Sequence, residues 1–148
     1  MDGGFDLALT RYFGEDLPKA VQTHIRENYH GEQPVGTSFL ISIPSSDKYL
    51  IHTPTMRIPS RIYDNMVVYH AMRSTLLEAI RHNVQSIVIP AFGGRCGCVP
   101  KDVIAQAMRM AYDQIVSPAP SNLTWDYAQQ RCPEELREQV VSDIHPEF

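Results

Sequence analysis

The chain has 148 residues, enough for one domain with a sizeable core and too few for two of ordinary size. A net charge of −4 with scattered lysines and arginines leaves no basic face of the kind that reads a nucleic-acid backbone. No run approaches the roughly 20 apolar residues of a membrane-spanning helix, so a membrane or nucleic-acid partner is not expected.

The first segment, 1–14, is glycine-rich, and Asp6-Leu7-Ala8-Leu9 can start a short helix behind Gly3 and Gly4. Met1-Asp2-Gly3-Gly4 has neither a basic stretch nor an apolar run and is not read as a signal peptide. Asp16 can cap the next helix, with Pro18 in its first turn, and Leu17, Val21, Ile25 and Tyr29 lie on one face before Gly31 stops it. Residues 36–44 and 49–53 read as strands around a Ser45-Ser46-Asp47 turn, and 54–63 as a loop carrying Arg57 and Arg61. Asp64 can cap a long helix with Val68, Met72, Leu76 and Ile80 as its stripe. Val84 to Pro90 reads as a short buried strand. The loop Ala91 to Val99 follows, and Pro100 opens a helix with Ile104, Met108, Ala111 and Ile115 on one face. A short helix is expected near 134–141, with Trp125 and Tyr127 read as a core plug for the tail ahead of the alternative, a stacking surface. Helices between short β-branched strands predict crossover connections and a mainly parallel or mixed sheet in an α/β domain.

The three cysteines, Cys96, Cys98 and Cys132, are an odd number, which argues against a disulfide-stapled secreted framework. The one-residue spacing of Cys96 and Cys98 fits neither a redox pair nor a zinc knuckle, and the histidines show no metal-ligand spacing, so no metal and no cofactor is expected. A reducing, cytoplasmic location is the default, or the nucleus in a eukaryote. His52 reads as a satisfied structural residue inside a strand.

The loop after Pro90 is the strongest functional signal. In sheets of this kind ligands bind at the carboxyl ends of the strands. Gly93, Gly94 and Gly97 let the backbone approach a ligand and turn N–H groups toward it, and the following helix brings its positive end, so a phosphate or diphosphate is the natural partner. The alternative is a turn that uses glycine for its dihedrals alone. The glycines run Gly-Gly-x-x-Gly, which is neither the phosphate-loop nor the dinucleotide pattern. Gly3-Gly4 ahead of a helix can present further N–H groups, with Asp6 behind them to orient a water; the alternative is a frayed terminus with Asp6 as a plain cap. Arg95 can touch a bound phosphate; the alternative is a plain surface position. Cys96 lacks an adjacent base and reads as a spectator in any covalent chemistry.

Taken in order, Gly3-Gly4-Phe5-Asp6, the strand pair ending in Ile51-His52-Thr53-Pro54, and Ser86-Ile87-Val88-Ile89-Pro90-Ala91 with its glycine loop resemble the macro domain family over roughly residues 1–117. Phe5-Asp6-Leu7-Ala8 and residues 54–59 are most similar to the branch that processes ADP-ribose 1″-phosphate. The resemblance implies a three-layer α/β fold, a single domain over 1–148 with 118–148 as an extension packed on it, and ADP-ribose or an ADP-ribosylated molecule as partner. It implies that Gly3, Gly4 and Phe5 stand near the distal ribose and diphosphate. Gly93, Gly94, Arg95, Cys96 and Gly97 then wrap the diphosphate, and Asp6 takes the position of an aspartate that assists water attack in hydrolytic members. The family's opening strands, with their adenine-holding aspartate and ribose-side asparagine, have no counterpart here. The expectation is therefore an N-terminally shortened sheet, explained by a shortened reading frame, by direct closure of the flanking strands, or by a partner chain such as a second copy filling the gap. Binding of ADP-ribosyl groups leads; hydrolysis, and an interaction domain with a degraded pocket, are the alternatives.

Overall fold

The computed structural model describes residues 4–130 and Leu136. In chain order they form α1 (Gly4–Phe13), α2 (Asp16–Tyr29), β1 (Phe39–Ser42), β2 (Tyr49–His52), α3 (Met66–Arg81), α4 (Lys101–Val116) and α5 (Trp125–Gln130). Most of the regular structure is helical. The sheet has two strands, β1 and β2, paired antiparallel with Phe39 opposite His52 and Ser42 opposite Tyr49.

This corrects the expected three-layer α/β domain with a mainly parallel or mixed sheet. Val84 to Pro90 carries a strand-like sequence but joins no ladder; Val88 is 90% exposed and Ile87 39% exposed. A strand is defined by its partner more than by its residues. Here β1 takes β2, and no other described segment pairs with 84–90 in a ladder. The connection after β2 therefore leads into α3 without closing a parallel pair.

Two apolar clusters hold the molecule together. Leu17 and Val21 of α2 close over Phe39 and Ile43 of the hairpin, with His24 stacked on Phe39 at a 4.0 Å centroid distance. In the larger cluster, Val68, Tyr69 and Met72 of α3 meet Val103, Ile104, Ala107 and Ala111 of α4, with Ile62, Val99 and Leu136 sealing its ends. The small Ala107 and Ala111 let the two helices approach closely, and the Tyr69 hydroxyl donates to Gln114 Oε1 across the seam. Leu136 is fixed from α3's side, where Asn65 Nδ2 donates to its carbonyl at 3.2 Å.

The helices follow their sequence signals with local departures. α2 starts after Glu15, so Asp16 sits in the first turn and is not the cap. It ends at His30 in the left-handed region (φ 53°), followed by Gly31 at φ 97°. At α3's start Asp64 Oδ1 accepts the Met66 N–H at 2.9 Å. A strict four-residue stripe drifts about 40° per step around a helix of 3.6 residues per turn. By the fourth position it has left the buried face, so Ile80 is 60% exposed and Thr75, Glu78 and Ala79 are buried instead. Trp125 is 91% exposed and is not a core plug. The expected helix at 134–141 lies, apart from Leu136, outside the described residues. Among the described residues no helix is long and apolar enough to cross a membrane.

Candidate functional site

The segment 91–99 folds as a compact double turn. The Val99 N–H donates to Gly93 O at 3.0 Å and the Cys98 N–H to Arg95 O at 3.0 Å. Ile62 supports the loop from below, its own N–H donating to Gly97 O at 2.9 Å. Two of the glycines answer to this packing. At Gly93 (φ 80°) a Cβ would stand 3.1 Å from Ile62 Cδ1 and from Val99 Cγ2; at Gly97 it would stand 2.6 Å from Ile62 Cδ1 and 2.8 Å from Gly93 O. At Gly94 the nearest contact would be Ile104 Cδ1 at 3.4 Å, so that position is roomy and exposed.

Closing the loop on its carbonyls leaves its amides unused. Among the described residues, none of the backbone N–H groups of Gly93, Gly94, Arg95, Cys96 and Gly97 donates to a protein acceptor. Successive N–H groups of this kind form an anion-attracting concavity, and α4 begins immediately after it, with Pro100 as its N-cap. Arg95 is exposed and makes no ion pair among the described residues.

The first glycine segment comes to the same place. A Cβ on Gly4 (φ 58°) would lie 3.5 Å from Arg95 Cδ, so the start of α1 rests against the loop. Gly3 lies outside the described residues. Phe5 is about half exposed, and Asp6 is an exposed residue of α1's first turn. Its backbone carbonyl accepts the Thr10 hydroxyl at 3.0 Å. Cys96 and Cys98 are exposed thiols, and Cys98 Sγ contacts Cys96 O at 3.6 Å. Arg57 is drawn away to Glu32, and Arg61 lies over the Tyr63 ring at 5.6 Å. Beside the loop is a shallow recess, about 10 Å³, touching Arg61, Tyr63, Cys98 and Pro100. The site is thus a surface of unused donors more than a deep pocket. A roomier concavity lies elsewhere, between α3 and the segment before β1.

His52 links β2 to the neighbourhood of α1. Its Nδ1 is 2.6 Å from Gln33 Oε1, and Gln33 Nε2 donates to Thr37 O and His52 O, both at 3.2 Å. An amide oxygen only accepts, so Nδ1 carries the proton of the neutral ring. Burial lowers the His52 pKa from 6.5, against the pull of the Asp6 carboxylate. The unfolded chain therefore takes up this proton more readily than the folded one. The resulting contribution to stability is complete above pH 6.5 and is lost as pH falls from there through the folded value. Urea midpoints measured from pH 7.5 down to pH 5 should decline, and His52→Gln should flatten the part of the slope near pH 6. Gln33 and its bonds carried no sequence signal, because the partners are brought together only by the hairpin.

Among the described residues no group of three or more His, Cys, Asp or Glu is placed to hold a metal ion. The macro domain model matches residues 1–108, and the chain belongs to the macro domain family, which is linked in general to ADP-ribose metabolism. An uncharacterized protein of Aquifex aeolicus (strain VF5) is 32% identical over 110 residues, which cover 73% of this chain and 62% of that protein. The match thus spans less than two thirds of the length of that relative. No solved structure matches the chain.

Proposed function

We propose that the chain binds ADP-ribose or ADP-ribosyl groups, with the diphosphate on the 93–97 loop. The observation that carries this reading is the run of five loop amides without a protein acceptor among the described residues, ahead of a helix N-terminus and beside Gly4. In this reading Gly93 and Gly97 shape the loop, while Gly94 and Cys96 offer their N–H groups to the phosphates. Arg95 adds a charge-assisted bond, and Gly3, Gly4 and Phe5 border the distal ribose. A second reading, hydrolysis of an ADP-ribosyl bond or processing of ADP-ribose 1″-phosphate, is favoured by one observation. The Asp6 carboxylate is exposed and makes no hydrogen bond or ion pair of its own among the described residues, leaving it available to orient a water.

Calorimetric titration with ADP-ribose, with ADP and ribose 5-phosphate as controls, tests both. Micromolar binding, tighter than either control and weakened about tenfold by Arg95→Ala, is expected from loss of one charge-assisted contact. If Asp6→Ala keeps the affinity but stops release of ADP-ribose from a modified protein, Asp6 acts in hydrolysis. A folded, monodisperse sample that binds none of the three would contradict both readings and leave an interaction domain.

A further inference from the structure

The roomier concavity, about 450 Å³, lies between α3 and the turn that leads into β1, away from the glycine loop. Its walls carry Arg73, His70, Ser74 and Arg81 from α3, Ser38 from the turn, and Tyr29 from the end of α2. The charges there do not balance. Glu78 Oε2 takes Arg81 Nη1 at 2.9 Å, and Glu78 Oε1 takes His82 Nε2 at 2.9 Å and the Leu40 N–H at 3.2 Å. The carboxylate is fully engaged, and its charge is matched by Arg81. Arg73 has no such partner. Its Nη1 is buried without a hydrogen bond, and the side chain makes no ion pair among the described residues.

The neighbouring hydroxyls do not relieve it. Ser74 Oγ donates to Ser38 Oγ at 2.8 Å, Ser38 Oγ lies 2.6 Å from Thr53 Oγ1, and Thr53 Oγ1 lies 2.8 Å from Thr75 Oγ1. These groups satisfy one another in a chain running away from the cavity. What the cavity has in surplus is one guanidinium charge and its N–H donors. A guanidinium N–H buried without a partner is costly, and an anion brought within its reach removes that cost. The planar guanidinium fork fits the oxygens of a phosphate group.

We infer that this cavity is a second, separate anion site, taking a small phosphate monoester whose phosphate group pairs with Arg73. Nη1 is covered in the present rotamer, so binding turns the Arg73 head about its terminal bonds toward the cavity. The space exceeds that of a phosphate ion, and Tyr29 and the apolar stem of Leu77 offer a wall for the group esterified to it.

The test is a titration of the isotopically labelled chain with inorganic phosphate, followed by amide and arginine Nε resonances, with sodium chloride at matched ionic strength as control. Saturable shifts at Gly36, Thr37, Ser38 and Arg73 Nε are expected, with half-saturation in the millimolar range, on the order of a single charge-assisted contact set. Arg73→Gln should weaken them about tenfold or more, and Arg95→Ala should leave them unchanged. Ribose 5-phosphate should bind tighter than phosphate alone. Shifts that stay linear with concentration, that saturate only at residues 93–97, or that survive Arg73→Gln would overturn the inference. The wild-type map decides the matter even if the variant does not fold. Because the glycine loop and this cavity report on different resonances, failure here leaves the ADP-ribose reading standing, and the reverse.

Discussion

Gly97→Ala is expected to unseat the loop that the proposed function depends on. The new methyl would lie 2.6 Å from Ile62 Cδ1 and 2.8 Å from Gly93 O. The first neighbour is a side chain held in the α3–α4 core, and the second is a backbone oxygen that already accepts the Val99 N–H. Neither yields cheaply, so the loop has to lift. That motion strains the bonds from Ile62 N–H to Gly97 O and from Val99 N–H to Gly93 O together. Overpacking of this kind costs about 1–3 kcal/mol, which lowers the melting temperature by roughly 3–10 °C for a domain of this size. ADP-ribose affinity should fall by more than tenfold, because the amides no longer converge. Two companions separate packing from binding. Gly94→Ala meets only ordinary contacts, so stability should stay within about 0.5 kcal/mol while affinity drops. Ile62→Val removes Cδ1, so the double variant Gly97→Ala with Ile62→Val should recover part of the lost stability, a coupling readable from a double-mutant cycle.

Glu78→Ala is the second large effect, and it acts on the fold. Glu78 lies near the end of α3 with its side chain 8% exposed. One of its three bonds goes to the Leu40 N–H of β1, tying α3 to a strand edge. The other two go to Arg81 and His82, whose side chains are 72% and 43% exposed, so solvent screens them. The weight therefore falls on Leu40: without the carboxylate a half-buried backbone donor loses its acceptor. The expected loss is about 2 kcal/mol, read from the urea midpoint at pH 7. Glu78→Gln keeps an acceptor of the same reach and should lose about half as much. If the two variants are equally destabilised, the ion pairs matter more than the strand edge. Removing Glu78 also frees Arg81, which lines the cavity with Arg73, so phosphate binding there should strengthen in either variant that folds.

The helices were legible because apolar periodicity needs no partner to be read. Leu17 and Val21, Val68 and Met72, Ile104 and Ala111 all fall on buried faces as their spacing implies. The hairpin was legible from two β-branched runs around a turn. Residues 84–90 show where such reading ends. Val-Gln-Ser-Ile-Val-Ile has the composition of a buried strand, but composition does not supply the neighbouring strand that would bury it. The same limit applies to the glycines. Their clustering pointed to the loop, yet what sets Gly97 apart from Gly94 is the position of Ile62, more than thirty residues earlier in the chain. Glu78, Arg81 and His82 look like a solvated charge run at the end of a helix. Only the approach of β1 makes Glu78 a buried junction, and only the loop before β1 makes Arg73 part of a cavity. Gly4 and Arg95 were each noticed alone; their contact depends on α1 folding back onto the loop.

The central claim is that the loop of residues 93–97 receives a diphosphate. Following its five backbone amide resonances during a titration with ADP-ribose tests it most directly. The account predicts large, saturable shifts at Gly93, Gly94, Arg95, Cys96 and Gly97 with micromolar half-saturation, and smaller ones at Gly4 and Phe5. Saturable binding that leaves the five amides unmoved, or no binding by the folded chain, would contradict it.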